Sequence, residues 1–205
     1  KGGDYPLYIA TDSEKIFQEA KSFGAPVLMT SSKHKSGTER VAEVAEKMDS
    51  FDWVINLQGD EPEMPPHYIQ ILASSIQKNP SWESATLAAP FESAEEVNDP
   101  SKVKVVLDKQ NRALYFSRSP IPYPRRRYSS YLRHIGIYAF RREFLLKLVR
   151  FPRGPLEEAE QLEQLRVLEN GFTMGVRLVA SVPPGIDTEE DFRAFEKRME
   201  AKNKG

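Results

Sequence analysis

Cysteine is absent from the chain, which excludes disulfides and thiolate metal sites and fits a reducing compartment such as the cytoplasm. No apolar run approaches the ~20 residues that a membrane span requires, so no membrane insertion is expected. No stretch of the sequence reads as a secretory signal. Neither sign of charge dominates, with 29 Lys and Arg against 30 Asp and Glu and a net charge of −1. Bulk electrostatics therefore give no reason to expect a nucleic-acid or acidic-membrane partner. Internal repeats, low-complexity tracts and dividing linkers are also missing. What remains is a 205-residue chain, 40% hydrophobic and 29% charged, enough to bury the core of one ordinary domain spanning residues 1–205.

The first half alternates. LYIAT (7–11) and PVLMT (26–30) read as short strands, and VINLQ, within 53–58, as a third. Between them, SEKIFQEAKSFG places Ile16, Phe17, Ala20 and Phe23 on one helical face, and SGTERVAEVAEKM turns Val41, Val44 and Met48 inward. A helix from Pro65–Pro66 to about Gln77 follows, since proline is welcome in a first turn. Such alternation is the pattern of an α/β fold with a largely parallel sheet. The rhythm then shifts to strand-like runs at 84–91, 103–108, 113–118 and 132–140, with Lys109–Arg112 as a hairpin connection. Residues 120–127 form a proline-rich loop ending in three arginines. Helices are expected at 141–151 and, as one continuous element, at 154–171, with Leu156, Ala159, Leu162, Leu165 and Leu168 as its inward stripe. A strand at 172–181 and a helix at 188–200 close the chain.

The strand VINLQ ends abruptly in Gly59, Asp60, Glu61 and Pro62. In open α/β sheets ligands gather at the carboxyl ends of strands, and an aspartate there offers the hard oxygen that Mg²⁺ prefers. The plainer reading is a turn, since Gly, Asp and Pro are turn formers. Ser36 and Glu39 are spaced as a capping box, although a helix start also suits an anion or a nucleotide. His134, Gly136 and Tyr138 share one face of a strand, lining either a cleft or the solvent. Arg118 and Arg125–Arg127 are either forks for carboxylate and phosphate or a solvated charge run. Thr188 and Asp191 fit a helix N-cap, and Asp187 beside them could supply a second metal carboxylate.

HKSGTER, NLQGDEP, VKVVLD with ALYFSRSPIPY, RHIGIY, PLEEAEQLEQLRVLENG and GIDTEED occur in that order. Together they resemble the 3-deoxy-manno-octulosonate (KDO) cytidylyltransferases, the CMP-KDO synthetases, from about Ala10 to about Phe192. The resemblance implies a three-layer α/β/α sandwich with a mixed, mainly parallel sheet, like other nucleotide-diphospho-sugar transferases. It implies formation of CMP-KDO and pyrophosphate from CTP and KDO, for lipopolysaccharide synthesis, by a cytoplasmic homodimer. Asp60 and Asp187 match the family's catalytic Mg²⁺-binding aspartates. Ser36, Gly37, Arg40 and Gln58 match positions near the cytidine nucleotide. Arg118, Arg125, His134, Tyr138, Glu163 and Gln164 match positions of the sugar pocket.

The family opens with a strand and a Gly/Arg/Lys-rich loop around the triphosphate, and neither precedes Lys1. The expectation is that this first part of the enzyme lies outside the present sequence. Two other readings stay open: a cytidylyltransferase for another acid sugar such as a sialic acid, and a truncated, non-catalytic domain.

Overall fold

The structure, a computed structural model, describes residues 5–186 and 188–203. Its spine is β7 (Leu132–Arg141), the longest strand. Along one edge β4 (Ser84–Pro90) runs antiparallel to it, from Ser84 opposite Phe140 to Pro90 opposite Leu132. The other edge is shared. β3 (Trp53–Leu57) pairs with residues 137–141, while β5 (Lys104–Leu107) pairs with Leu132 and Arg133. The two partners splay apart over the middle of β7, around Gly136.

β6 (Ala113–Ser117) extends the sheet beyond β5, and β8 (Met174–Leu178) lies parallel to β4 on the far side. The mixed sheet expected from sequence is found. Four of its six strands (β3, β4, β5, β8) run one way, but β7 sits among them in reverse, so most neighbouring pairs are antiparallel. β1 (Ile9–Thr11) and β2 (Val27–Met29) form a separate parallel ladder. Helix α2 (Gly37–Glu46) packs against both β1 and β3.

Helices cover both faces of the large sheet, which explains why β4 is buried almost throughout and built of small residues. On one face, α3 (Pro66–Lys78) sets Tyr68, Leu72 and Ile76 against Ala85, Leu87, Ile135 and Ile137. On the other, α2, α4 (Arg142–Leu148) and α6 (Leu165–Glu169) cover Ala88, Phe116, Phe140 and Val176. This is the three-layer arrangement. α1 (Glu14–Ser22) lies beside β1 and β2 with only Ala20 buried, so Ile16 and Phe23, expected inward, are exposed. In α2 the inward residues are Thr38, Ala42 and Ala45, and Val41, Val44 and Met48 are only half-buried. α7 (Glu189–Asn203) is tied to Glu63 by Arg198 and Lys202.

The expected continuous helix at 154–171 is two helices. α5 (Pro155–Glu160) stops at Gln161, whose φ of 53° is left-handed, and α6 starts at Leu165. The break rotates the helical phase. Leu156 and Ala159, read as inward, are exposed, while Glu157 is buried at 3%. The reason is a partner: Arg166, itself 5% exposed, grips the Glu157 carboxylate through two bonds of 2.6 and 2.5 Å. A bidentate Arg–carboxylate pair makes a buried charge tolerable.

Candidate active site

Four segments converge where β3 and β5 separate. The first is the tip of β3. After the half-exposed Leu57, the chain turns through Gln58, Gly59, Asp60 and Glu61, closed by a bond from the Glu61 N–H to the Gln58 carbonyl at 3.2 Å. The Ile186 N–H donates to the Asp60 carbonyl at 2.8 Å, and Gly185 lies against Asp60 and Glu61. Asp187, the next residue in sequence, is outside the described residues. Thr188 and Asp191 cap α7 as their spacing suggests, with the Thr188 N–H donating to Asp191 at 2.9 Å and the Asp191 N–H to Thr188 Oγ1 at 3.2 Å.

The second segment is the start of α2. Ser36 is its N-cap and accepts from the Glu39 N–H at 3.3 Å, so the cap reading holds. Glu39 reaches back to the Lys35 N–H at 2.8 Å, one residue earlier than a standard capping box. Gly37 sits against Gln58 so closely that a Cβ there would lie 2.9 Å from Gln58 Oε1. Thr38 Oγ1 donates to Glu163 at 2.7 Å. Arg40 donates to Thr30 Oγ1 at 2.6 Å and to Asp12 at 2.9 Å, joining the helix to the ends of β1 and β2. The hydrogen bond from Arg40 holds the Asp12 carboxyl below its usual range.

The third segment is the middle of β7. His134 and Tyr138 lie on the face that carries α2 and α6, their rings 5.4 Å apart. Burial pushes the His134 imidazole down to about 3, leaving it neutral at physiological pH. The Tyr138 phenol is pushed up, first by burial and then by the charges of Glu163, Asp60 and Glu61. One half-buried ring therefore registers carboxylates from the β3 tip and from the α5–α6 turn together. Asn56 stands opposite Tyr138 in the ladder, 3% exposed, and its side-chain nitrogen has no partner among the described residues.

The fourth segment is the α5–α6 turn with the end of β6. Tyr138 donates to Gln164 Oε1 at 3.4 Å. Arg118 is held at the end of β6: its N–H donates to the Glu160 carboxylate at 2.8 Å, Nε to the Glu160 carbonyl at 2.8 Å, and Nη1 to the Pro100 carbonyl at 3.0 Å. Ser117 Oγ adds a bond of 2.5 Å to Glu160, and the Lys104 ammonium, 0% exposed, donates to the Arg118 carbonyl at 2.5 Å.

The structure thus gathers Ser36, Gly37, Gln58, Asp60, His134, Tyr138, Glu163 and Gln164, with Arg40 and Arg118 at the margins. Arg125 is not brought in: it lies exposed in the loop, where its N–H donates to the Tyr123 carbonyl, and no side-chain bond links it to the others. Sequence reasoning passed over Thr38, Asn56, Glu157, Glu160 and Arg166. A polar Thr38 on the covered face of α2 was the one signal on offer.

A family model described as cytidylyltransferase matches residues 3–178. The 3-deoxy-manno-octulosonate cytidylyltransferase of Fusobacterium nucleatum is 46% identical over 186 residues, which is 90% of this chain and 76% of that protein. The Haemophilus influenzae enzyme of the same name is 45% identical over 206 residues, covering 93% and 81%. The chain belongs to the 3-deoxy-manno-octulosonate cytidylyltransferase family. A solved CMP:2-keto-3-deoxy-manno-octonic acid synthetase complexed with CTP superposes with a TM-score of 0.93 at 40% identity, covering 98% of this chain and 83% of that one. A 4-diphosphocytidyl-2C-methyl-D-erythritol synthase from Anaerococcus prevotii, at 13% identity and a TM-score of 0.58, shares the fold.

The donor set at the β3 tip suits a hard cation. Asp60 and Glu61 supply carboxylate oxygens, and the chain contains no thiol. Among the described residues no three His, Asp or Glu side chains form a complete metal cage. Mg²⁺ takes one or two carboxylates and completes its shell with phosphate oxygens and water.

Proposed function

We propose that the protein transfers the cytidylyl group of CTP to 3-deoxy-manno-octulosonate, giving CMP-KDO and pyrophosphate in the synthesis of lipopolysaccharide. The observation that carries the reading is the convergence on Tyr138 of the β3 tip, the α2 start and the α5–α6 turn, in a chain 46% identical to a relative of that name. The start of α2 offers free N–H groups and the positive end of its dipole to the nucleotide, with Ser36, Gly37 and Gln58 around it. Arg40 contributes a cation braced by Asp12.

The sugar side is lined by groups in fixed protonation states. Tyr138 stays protonated and His134 neutral. Glu163 and Gln164 accept from sugar hydroxyls, and Arg118 answers the sugar's carboxylate. In the reaction the anomeric hydroxyl attacks the α-phosphorus, and pyrophosphate leaves in line. Such a step depends on positioning and charge neutralisation more than on covalent help. Asp60 and Asp187 would hold Mg²⁺, which when bound neutralises charge on the phosphates and the attacking oxygen.

The enzyme so read works in the cytoplasm as a homodimer. No helix among the described residues is long and apolar enough to cross a membrane, and light scattering measures the oligomer directly. The deciding experiment is pyrophosphate release with CTP and each candidate acid sugar. Turnover with 3-deoxy-manno-octulosonate is expected; turnover with a sialic acid instead would overturn the assignment.

A further inference from the structure

The β4–β7 ladder slips between Thr86 and Leu87: Thr86 stands opposite Tyr138, but Leu87 stands opposite Ile135. Two extra residues, Gly136 and Ile137, bulge from β7 at this point. Bulges near active sites re-aim side chains and free backbone groups from the ladder. Here the hydroxyl of Thr86, a residue 0% exposed, lies 2.7 Å from the Ile137 carbonyl and 3.1 Å from the Ile135 carbonyl. It also lies 2.9 Å from His134 Nε2.

Proton counting and contact length together assign a direction to each bond. A threonine hydroxyl has one proton and two lone pairs, and carbonyls only accept. The shortest contact, 2.7 Å to the Ile137 carbonyl, draws the Thr86 proton there, and with that proton engaged Thr86 accepts from His134. Nε2 then carries the imidazole proton. The ring is packed between Phe116, with centroids 5.0 Å apart, and Tyr138, surroundings that favour the neutral form. His134 Nδ1 has no hydrogen-bond partner among the described residues.

We propose that Thr86 is a positioning residue that locks His134 as the Nε2–H tautomer, so that Nδ1 presents a bare lone pair to the sugar. The inference rests on the reading of His134 as part of the sugar pocket and deepens it. A lone pair there selects a substrate with a hydroxyl opposite Nδ1, because a hydroxyl can donate. It disfavours an acid sugar that puts its carboxylate, a keto oxygen or an ether at that point.

The test is the ¹⁵N spectrum of the imidazoles at neutral pH, with the His134 signals assigned by their loss in His134→Gln. The expected pattern is a protonated Nε2 and an unprotonated Nδ1. The reverse pattern, or two protonated nitrogens, overturns the inference whatever the kinetics show. Thr86→Val keeps the shape and removes the hydroxyl. It should give a mixed-tautomer spectrum and raise KM for the sugar by on the order of tenfold, with KM for CTP little changed, and Thr86→Ser should restore both. A Thr86→Val protein that retains the pure Nε2–H spectrum refutes Thr86 as the lock. If Thr86→Val does not fold, the wild-type spectrum still decides the tautomer. Unchanged KM for the sugar in His134→Gln would remove His134 from the sugar pocket, a failure of the underlying reading that the spectrum separates from a failure of the tautomer.

Discussion

Replacing Arg166 by Met should destabilise the protein far more than replacing Arg166 and Glu157 together. The pair is almost sealed from water, with side chains 6% and 4% exposed, and is joined by two short bonds. Donating to Glu157 holds the Arg166 guanidinium still more firmly protonated, with Glu163 and Glu39 adding to it. Removing one partner of a buried pair costs about 3–5 kcal/mol, because the other charge stays behind unpaired. Arg153 Nε, 3.6 Å from Glu157 and 42% exposed, would compensate in part, which points to the lower end, about 3 kcal/mol. With an unfolding entropy of roughly 2.1 cal/mol/K per residue over this chain, that corresponds to a fall of about 7 °C in Tm.

The double variant Glu157→Leu with Arg166→Met leaves no buried charge, and apolar replacements of buried pairs are often near neutral. Urea unfolding of the wild type, both single variants and the double variant supplies the cycle, read from the midpoint at constant m. A large favourable coupling is expected. A loss below about 1 kcal/mol in Arg166→Met, or a double variant that merely sums the singles, would refute the argument that a buried charge is at stake. The α5–α6 turn lies between the two residues, so the folded Arg166→Met protein should also show a raised KM for the sugar.

Asp60→Ala should abolish turnover while changing stability by no more than ~0.5 kcal/mol, since Asp60 is exposed; unimpaired pyrophosphate release would remove it from the chemistry. Gly37→Ala puts a Cβ 2.9 Å from Gln58 Oε1, so Gln58 must shift and KM for CTP should rise several-fold, whereas Tm should hold because alanine favours a helix. A wild-type KM for CTP would sever Gln58 from the nucleotide. Glu43 is held at about 2, against an ordinary 4.5, by bonds from Lys47, the Ser31 N–H and His34. A carboxyl depressed on folding stabilises fully above its unfolded value and loses that contribution as pH falls through the folded one. Between pH 5 and pH 2 the wild type should therefore lose stability more steeply than Glu43→Gln, and parallel denaturation profiles would contradict this.

The elements that could be read from sequence were those whose neighbours in the chain are also their neighbours in space. The β3 tip broke its own apolar pattern at Gln58–Asp60, and the strand at 132–141 showed its two faces by simple alternation. The cap of α2 was legible as well, because Ser36 meets Glu39 three residues on. The α5–α6 break was not. Leu156, Ala159, Leu162, Leu165 and Leu168 satisfy a helical period without a fault, and nothing at Gln161 forbids a helix.

What overrides that period is a pairing nine residues apart and a set of long-range bonds to the turn. Glu160 is fastened to Ser117 and Arg118, and Glu163 to Thr38. These contacts bend the chain so that Glu163 and Gln164 face Tyr138. A continuous helix from Pro155 onward would bury Leu156 and Ala159 and expose Glu157. The observed fold does the opposite, exposing two apolar residues to place two polar ones at the site. Local propensity was set aside at the point where the proposed sugar pocket places its acceptors, which is where a sequence is expected to depart from its own local rules.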